Sequence, residues 1–461
     1  MSATATQSGF SQEAFESFLQ RRQEPRWMTD LRRRAWQSFL ELPLPDRKQE
    51  EWMRTDIRGL RLNQFSPPGD EISDFRSQIS DFKSQVSNLK SEIQDSLTPD
   101  PQALTPLLSQ GVELAGHDVA IDSRPAASQL DPDYARQGVL FGSLDRLLAE
   151  HGDLLRPHFG RAVDPDIDKF AALGAACWSG GTLLYVPKRV VIERPLHMLS
   201  ALTPGAVDFG RLLVVLEEGA EATLLAETTS SEATAAGLHC GATELLVGPG
   251  ARLRYVNLQN WGTGVWHFAH QHALVDSNAA LQWTIGALGS HLAKVNQHVT
   301  MVGGGADVEV NGAMFTEGKQ HLSYHTLQHH AAGGCRSNLL YKGALQDKSR
   351  IVWRGMIHVD KDAQKTDGYQ RDDNLVLSES ARADSIPGLE ILAHDVRCTH
   401  GATVGRVDDE LIFYALTRGF TRREAVRMIV AGFFQQVFDR ITIPSVRDAL
   451  SEAIGRRVRD Y

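Results

Sequence analysis

The chain has 461 residues, 42% of them hydrophobic and 23% charged, with a formal net charge of −9 and a pI near 6.0. That balance is ordinary for a soluble globular protein large enough for a substantial core and two or three structural units. It excludes by default a nucleic-acid binder, which needs a basic excess against phosphate, and no apolar run is long enough to span a bilayer.

The opening, MSATATQSGFSQEAFESFL, lacks the basic start and apolar run of a secretory signal, and the chain reads as cytoplasmic. Residues 11 to 62 carry helical patterning. SQEAFESFLQRR and MTDLRRRAWQSFLELPLP place apolar residues at steps of three and four, and Pro43 and Pro45 close the second run. RKQEEWMRTDIRGL follows as an amphipathic stretch anchored on Trp52, so residues 1–64 are expected to form an N-terminal helical region. Residues 65–135 are expected to form a linker with an unusual insert over 72–97, ISDFRSQISDFKSQVSNLKSEIQDSL. Its Ile72, Phe75, Ile79, Phe82, Val86, Leu89 and Ile93 fall on a heptad seam of near-copied repeats. The seam reads either as a coiled-coil contact or as a duplicated insertion forming a lone amphipathic helix.

Over 136–405 the character changes to short alternating apolar runs, each followed by a tight turn. LLVVLEEGAEATLLAET, ELLVGPGARLRYVNLQ, HALVDSNAALQWTIGA and VTMVGGGADVEVNGAM place turn elements at Gly219, Gly250, Asn278 and Gly305. Those starts are roughly 27 to 31 residues apart, within the period range of stacked repeats. A unit of two or three short strands cannot bury its own apolar face, whereas stacking successive units does. The expected fold is therefore mainly β, a β-solenoid or parallel β-helix with Gly and Ala at its corners. A β-sandwich would need hairpin turns every 8 to 12 residues, and Asn311-Gly312 stands nearly alone. The glycines of VGGGADVEV match no phosphate-binding motif, and no ATP site is visible.

After Gly405 the pattern is helical again. DDELIFYALTRG opens on an Asp cap and ends at Gly419; TRREAVRMIVAGFFQQVFDRI opens with Thr421 and Glu424 in capping-box spacing; PSVRDALSEAIGRRVRDY starts on Pro444 and Ser445. A helical module over 406–461 is expected, either docking a partner or plugging the open end of the solenoid.

The stretch HDVRCTHGATVG carries the chemistry. The four cysteines, Cys177, Cys240, Cys335 and Cys398, are scattered without a C-x-x-C pair, which fits neither a disulfide framework nor a self-contained zinc site. If LEILAHDVRCTH is one strand, His394, Val396, Cys398 and His400 share a face. Thiolate and imidazole are ligands for iron and zinc, but a stable iron–sulfur cluster needs about four ligands and this stretch supplies two or three. Either another chain completes the set or any cluster held here is labile; the plainer reading is that Cys398 is a buried small hydrophobe with His400 hydrogen-bonded at the strand end. A Cys–His catalytic dyad lacks an orienting carboxamide nearby. WHFAHQH, with His267, His270 and His272, and HLSYHTLQHH, with His321, His325, His329 and His330, read as metal ligands or as ladders formed by stacked coils.

The run PGLEILAHDVRCTHGATVGRVDDELIFYALTRGFTRREA resembles the C-terminal signature of the SufD family of the SUF iron–sulfur cluster assembly system, most specifically in C-T-H-G-A-T-x-G and L-x-x-Y-x-x-x-R-G. The likeness extends to GYQRDDNLVLSESARADSIP, to GTLLYVPKRVVIERPL and to EPRWM with LPLPDRKQEEWMRTDI, nearly the whole chain apart from the insert. The paralogous SufB family carries a glutamate–histidine–glutamate run where this chain reads RCTHGAT. The resemblance implies a right-handed parallel β-helix flanked by N- and C-terminal helical regions, acting as a scaffold rather than an enzyme. It implies pairing with SufB, recruitment of a SufC ATPase through the C-terminal helices, and a homodimer when the chain is isolated. A transient iron–sulfur cluster or iron is implied at the SufB–SufD interface, with His400 in the family histidine's place and Cys398 in that of its cysteine. Reduced flavin is implied for the assembled complex, with no motif that locates it. Leu411, Phe413, Tyr414, Met428, Phe433 and Phe434 are the candidates for the ATPase-docking or supporting face. The chain departs from the family pattern at His394 and Asp395, where two acidic residues are frequent, at Gln436, where an acidic residue is common, and in the insert. The other readings are a SufB-like sulfur acceptor and a β-helix polysaccharide-active enzyme, the latter at odds with the missing export signal.

Overall fold

Every coil of the chain contributes one strand to each of two sheets. In the first, strand Arg252–Asn260 pairs in parallel with Ala280–Ala287, followed in turn by Asp307–Thr316, Arg336–Leu345, Thr366–Val376 and Val396–Arg406. The strands between them, Gly264–Val275, Leu292–Met301, His321–His330, Arg350–Val359 and Arg382–Ile391, stack the same way in the second. Two 10-stranded sheets result and enclose a β-solenoid of about 8 turns, with helices at both ends of the chain. This computed structural model describes residues 9–22, 24–69 and 106–459; the heptad seam of 72–97 lies outside the described residues. No helix among the described residues is long and apolar enough to cross a membrane.

The corners fall where the repeats place them. Gly219, Gly250, Asn278 and Gly305 all have left-handed φ, at 67°, 66°, 56° and 75°. Only glycine adopts this conformation at no steric cost, with asparagine the best-tolerated substitute. Gly250 has open space where a Cβ would sit, so its φ alone sets the cost of a side chain. Gly250→Ala is therefore expected to cost about 1 kcal/mol in urea denaturation and Gly250→Asn less, because Asn278 already serves the equivalent corner.

Apolar side chains stack in register rows inside the coil. Leu253, Leu281 and Val308 form one row, and Tyr255 and Trp283 begin the next with ring centroids 5.5 Å apart. Helices cover part of the outer face of each sheet, and where they do the strands are buried on both sides and read as near-continuous apolar runs, as in Leu212–Leu213–Val214–Val215–Leu216. Helices Gln12–Arg22, Arg26–Glu41 and Lys169–Cys177 cover the second sheet, with Phe170 stacked on Phe268 at 3.7 Å. Helices Asp409–Thr417, Arg422–Phe438 and Pro444–Arg457 cover the first, where Leu258, Phe315 and Leu340 meet Val430, Phe434 and Leu450. Thr421 and Glu424 form the expected capping box.

Three sequence readings are corrected. The C-terminal helices lie along the face of the solenoid, not over its end. They are fastened there by Arg440 on Asn311 and Glu309, Arg457 on Asn260, and Arg459 on Glu317. Residues 46–61 form turns rather than helix, because the Asp46 and Asp56 carboxylates accept the backbone N–H groups of Lys48 and Arg58 and so compete with helical pairing. Trp52 is still buried there, against Phe170 and Phe268. Sheet pairing also begins before residue 136: strand Gly116–Ile121, inside the expected linker, pairs in parallel with Leu196–Leu202.

Candidate functional site

LEILAHDVRCTH is two strands, not one. Arg382–Ile391 closes the second sheet and Val396–Arg406 closes the first, with a corner between them. The corner is held by Gln364, whose Oε1 accepts the backbone N–H groups of His394 at 3.2 Å and Asp395 at 2.8 Å. His394 therefore sits on the corner and off the strand of Cys398 and His400.

Along Val396–Arg406 the alternation places Val396, Cys398 and His400 in register with Thr366, Gly368 and Gln370, all three buried. In-register residues of parallel strands point to the same side, so Cys398 and His400 face the solenoid axis. Cys398 is half-buried against Ile357, Val359, Ala363 and Ala393, and Gly368 leaves room for its sulfur, since a Cβ there would meet Sγ at 3.2 Å. His400 is exposed although it faces the axis, because the coil ends at this strand. Among the described residues nothing pairs with the outer edges of the two last strands, and Leu389, Ile391, Leu392 and Val404 around this mouth are exposed. Burial raises the Cys398 thiol above its ordinary range, which favours the protonated form.

Just inside the mouth is a buried polar row. Asp372 accepts from Asn374 at 2.6 Å and from Ser385, and burial pushes its carboxyl up to about 7. Asp372 and Asn374 alternate on one strand, and Ser385 joins them only from the next strand, in the other sheet.

The other thiols are enclosed. Cys177, Cys240 and Cys335 are buried; burial pushes Cys177 up to about 12, and raises Cys240 and Cys335. Most of the clustered histidines also have protein partners. His270 meets Asp168 and Asn296, His272 meets the Ala162 carbonyl and Thr300, and His267 pairs with His239 across 2.8 Å.

In the helical module, Leu411, Phe413, Tyr414 and Met428 are exposed, Phe413 by 68%. Leu416 and Phe420, which spacing did not single out, are exposed as well. Phe434, a partner-binding candidate from sequence, is fully buried in the contact between module and solenoid. Phe433 is partly buried, with the Lys342 ammonium over its ring at 4.8 Å. Adjacent helical positions point about 100° apart, so the Phe433–Phe434 pair is turned toward the sheet and Phe434 is unavailable to a partner.

The β-solenoid ends in a coil that no described residue caps, with a thiol and an imidazole at its mouth. Residues 199–433 match the SufBD core domain of the SUF FeS cluster assembly system and residues 119–198 the SufBD N-terminal region; the chain belongs to the SufBD family of iron–sulfur cluster assembly proteins. It is 27% identical to the iron-sulfur cluster assembly protein SufB of Bacillus subtilis over 93% of this chain and 89% of that one. It is 26% identical to an iron-sulfur cluster assembly SufBD family protein of Staphylococcus haemolyticus over the same shares, and 28% identical to one from Staphylococcus saprophyticus over 70% of each.

Proposed function

We propose that this chain is the SufD-type subunit of a SUF assembly complex, a scaffold with no catalysis of its own that holds iron or a nascent cluster at its junction with a SufB-type solenoid. The observation that carries this reading is the uncapped last coil, with the exposed His400 and half-buried Cys398 at its mouth. A paralogous solenoid docking on the two free strand edges would cover Leu389, Ile391, Leu392 and Val404 and set its own ligands beside His400. His400 supplies one ligand and Cys398 a second once the metal has displaced its proton. A set that neither chain completes holds its cargo while the junction is closed and yields it when the junction is strained. An isolated chain would pair with a second copy through the same edges.

A SufC-type ATPase fits the exposed apolar surface of Leu411, Phe413, Tyr414 and Met428. Reduced flavin is assigned to the assembled complex, and no residue of this chain is assigned to it or to ATP. The SufB-like reading draws on the Bacillus subtilis relative. It needs an accessible sulfur-accepting thiol inside the solenoid, and the burial of Cys240 and Cys335 weighs against it.

Co-expression with genomic neighbours tests the proposal. An ATPase and a second solenoid chain should co-purify with this one, and iron bound to the complex should fall at least tenfold in His400→Ala. Retention of tightly bound iron by the isolated chain, or full iron in the His400→Ala complex, would sink it.

A further inference from the structure

On the outer face of the second sheet, away from the strand of His400, four side chains converge where successive coils stack. Register places His329, His358 and Glu390 in one row, His329 paired with His358 and His358 with Glu390. Asp360 follows at the corner directly after strand Arg350–Val359. His358 Nε2 lies 3.0 Å from Asp360 Oδ1, and His329 Nε2 lies 3.1 Å from Asp360 Oδ2. The two rings meet edge to face with centroids 4.9 Å apart, and the ligand atoms of His329, His358 and Asp360 all fall within 4.8 Å of one another. On the far side of its ring, His358 Nδ1 is 3.2 Å from Glu390 Oε2.

His358 has a carboxylate against each of its ring nitrogens. His329 Nε2 is buried and close to the same Asp360 carboxylate, but out of hydrogen-bonding alignment with any partner. One positive species between the two Nε2 atoms and the carboxylate satisfies all three. Separations of 3.0 and 3.1 Å suit neighbouring donors around a first-row ion with metal–ligand bonds of about 2.0–2.2 Å. The donor set is two imidazoles and one carboxylate. The side chains of His329 and His358 are about a quarter exposed, at 27% and 24%, which leaves coordination positions open to solvent. Glu390 has the place of the outer carboxylate that fixes a metal-bound histidine's tautomer by accepting its other N–H.

We propose that His329 Nε2, His358 Nε2 and the Asp360 carboxylate form a binding site for a divalent first-row transition ion, with Glu390 orienting His358 through Nδ1–H. The site uses the outer face rather than His400 or Cys398, its three ligands come from one chain, and Glu390 lies on the last strand of the second sheet, beside the mouth. Ferrous iron is the member of that class relevant to iron–sulfur assembly, and only this choice of ion rests on the preceding reading.

The test is a Co²⁺ titration of the full-length, tag-free chain, followed by its visible d–d absorption with Zn²⁺ as competitor. The wild type should bind one saturable equivalent that excess Zn²⁺ displaces. His358→Ala and Asp360→Asn should abolish it, Glu390→Gln should weaken it about 10-fold or more, and His400→Ala should leave it unchanged. Glu390 is largely exposed, so its variant keeps the test valid should a ligand variant fail to fold. No saturable Co²⁺ band in the wild type, or a band unchanged in Glu390→Gln and surviving both ligand variants, would overturn the site. Either result leaves iron loading through His400 in the complex to be judged separately.

Discussion

Arg32→Ala is expected to lower the unfolding free energy by about 3–5 kcal/mol, seen as a large drop in urea midpoint, although Arg32 is far from the mouth of the solenoid. Its guanidinium is fully buried and holds Glu24 through two bonds, Nε to Oε2 at 2.7 Å and Nη2 to Oε1 at 2.8 Å. Its Nη1 donates to the carbonyls of Ala176 at 3.0 Å and Trp178 at 2.7 Å, and the group lies 4.5 Å from the Trp178 ring. Those carbonyls end helix Lys169–Cys177, where backbone acceptors have no intrahelical donor, so a residue of one helix caps another. Burial alone would raise Glu24, but the hydrogen bonds and charge of Arg32, with Arg22 beside it, hold its carboxyl below the usual range. Truncating Arg32 leaves that carboxylate and two carbonyls short of donors in a buried place, and this is where most of the loss arises. Arg32→Lys should recover only part of it, since an ammonium cannot serve the carboxylate fork and both carbonyls in one plane. The exposed Arg33→Ala should stay within about 0.5 kcal/mol of wild type. An Arg32→Ala chain as stable as Arg33→Ala would mean that this network does not anchor the N-terminal helices.

What could be read from sequence followed the physics of each feature. The corners at Gly219, Gly250, Asn278 and Gly305 were legible because a left-handed φ restricts residue type at a single position. The helix starting at Thr421 was legible because its cap is local. The break between Ile391 and Val396 was not, since apolar alternation runs straight through LEILAHDV and the corner is made by the side chain of Gln364, a full coil earlier. The same holds for His329. Its sequence neighbours suggested a cluster within HLSYHTLQHH, whereas its spatial partners His358 and Asp360 lie one coil further on and can be paired only once the register is known. Which aromatic of the tail faces outward depended likewise on where the sheet lies, and that separated Phe413 from Phe434. The exposure of His400 follows from the coil ending at its strand, a property of topology rather than of HDVRCTHG itself.

Stability is expected to fall steeply between pH 6.5 and 5.5, because the solenoid buries neutral imidazoles. His325 is pushed down to about 2 by burial, with Lys294, Arg354 and His298 opposing its charged form. His330 is pushed down to about 4 by burial and the neighbouring His329, against a smaller opposite pull from Asp367. His298 and His321 are pushed down to about 3 and about 4, again chiefly by burial. The unfolded chain takes up protons at these positions near the ordinary value of about 6.5, while the folded chain does not. The unfolded state therefore binds more protons between about 6.5 and 4, and stability present above 6.5 is lost as the pH falls. Each such histidine contributes up to about 1.4 kcal/mol per pH unit in that window, so four together contribute up to about 6 kcal/mol per pH unit. Two buried carboxylates act in the opposite sense. Asp372, pushed up to about 7, and Asp118, pushed up to about 6, both by burial, gain stability as they protonate on acidification. Their windows run from about 7 and about 6 down to the ordinary carboxylate value of about 4, through nearly the whole histidine window, so two groups offset part of what four remove. Urea midpoints measured at pH 7.5, 6.5 and 5.5 should drop mainly over the last step. His330→Gln, which keeps a partner for Ser337, should flatten that step by about one proton, and Asp372→Asn should steepen the net acid loss. Midpoints that stay level down to pH 5.5 would mean that these imidazoles are hydrated in solution.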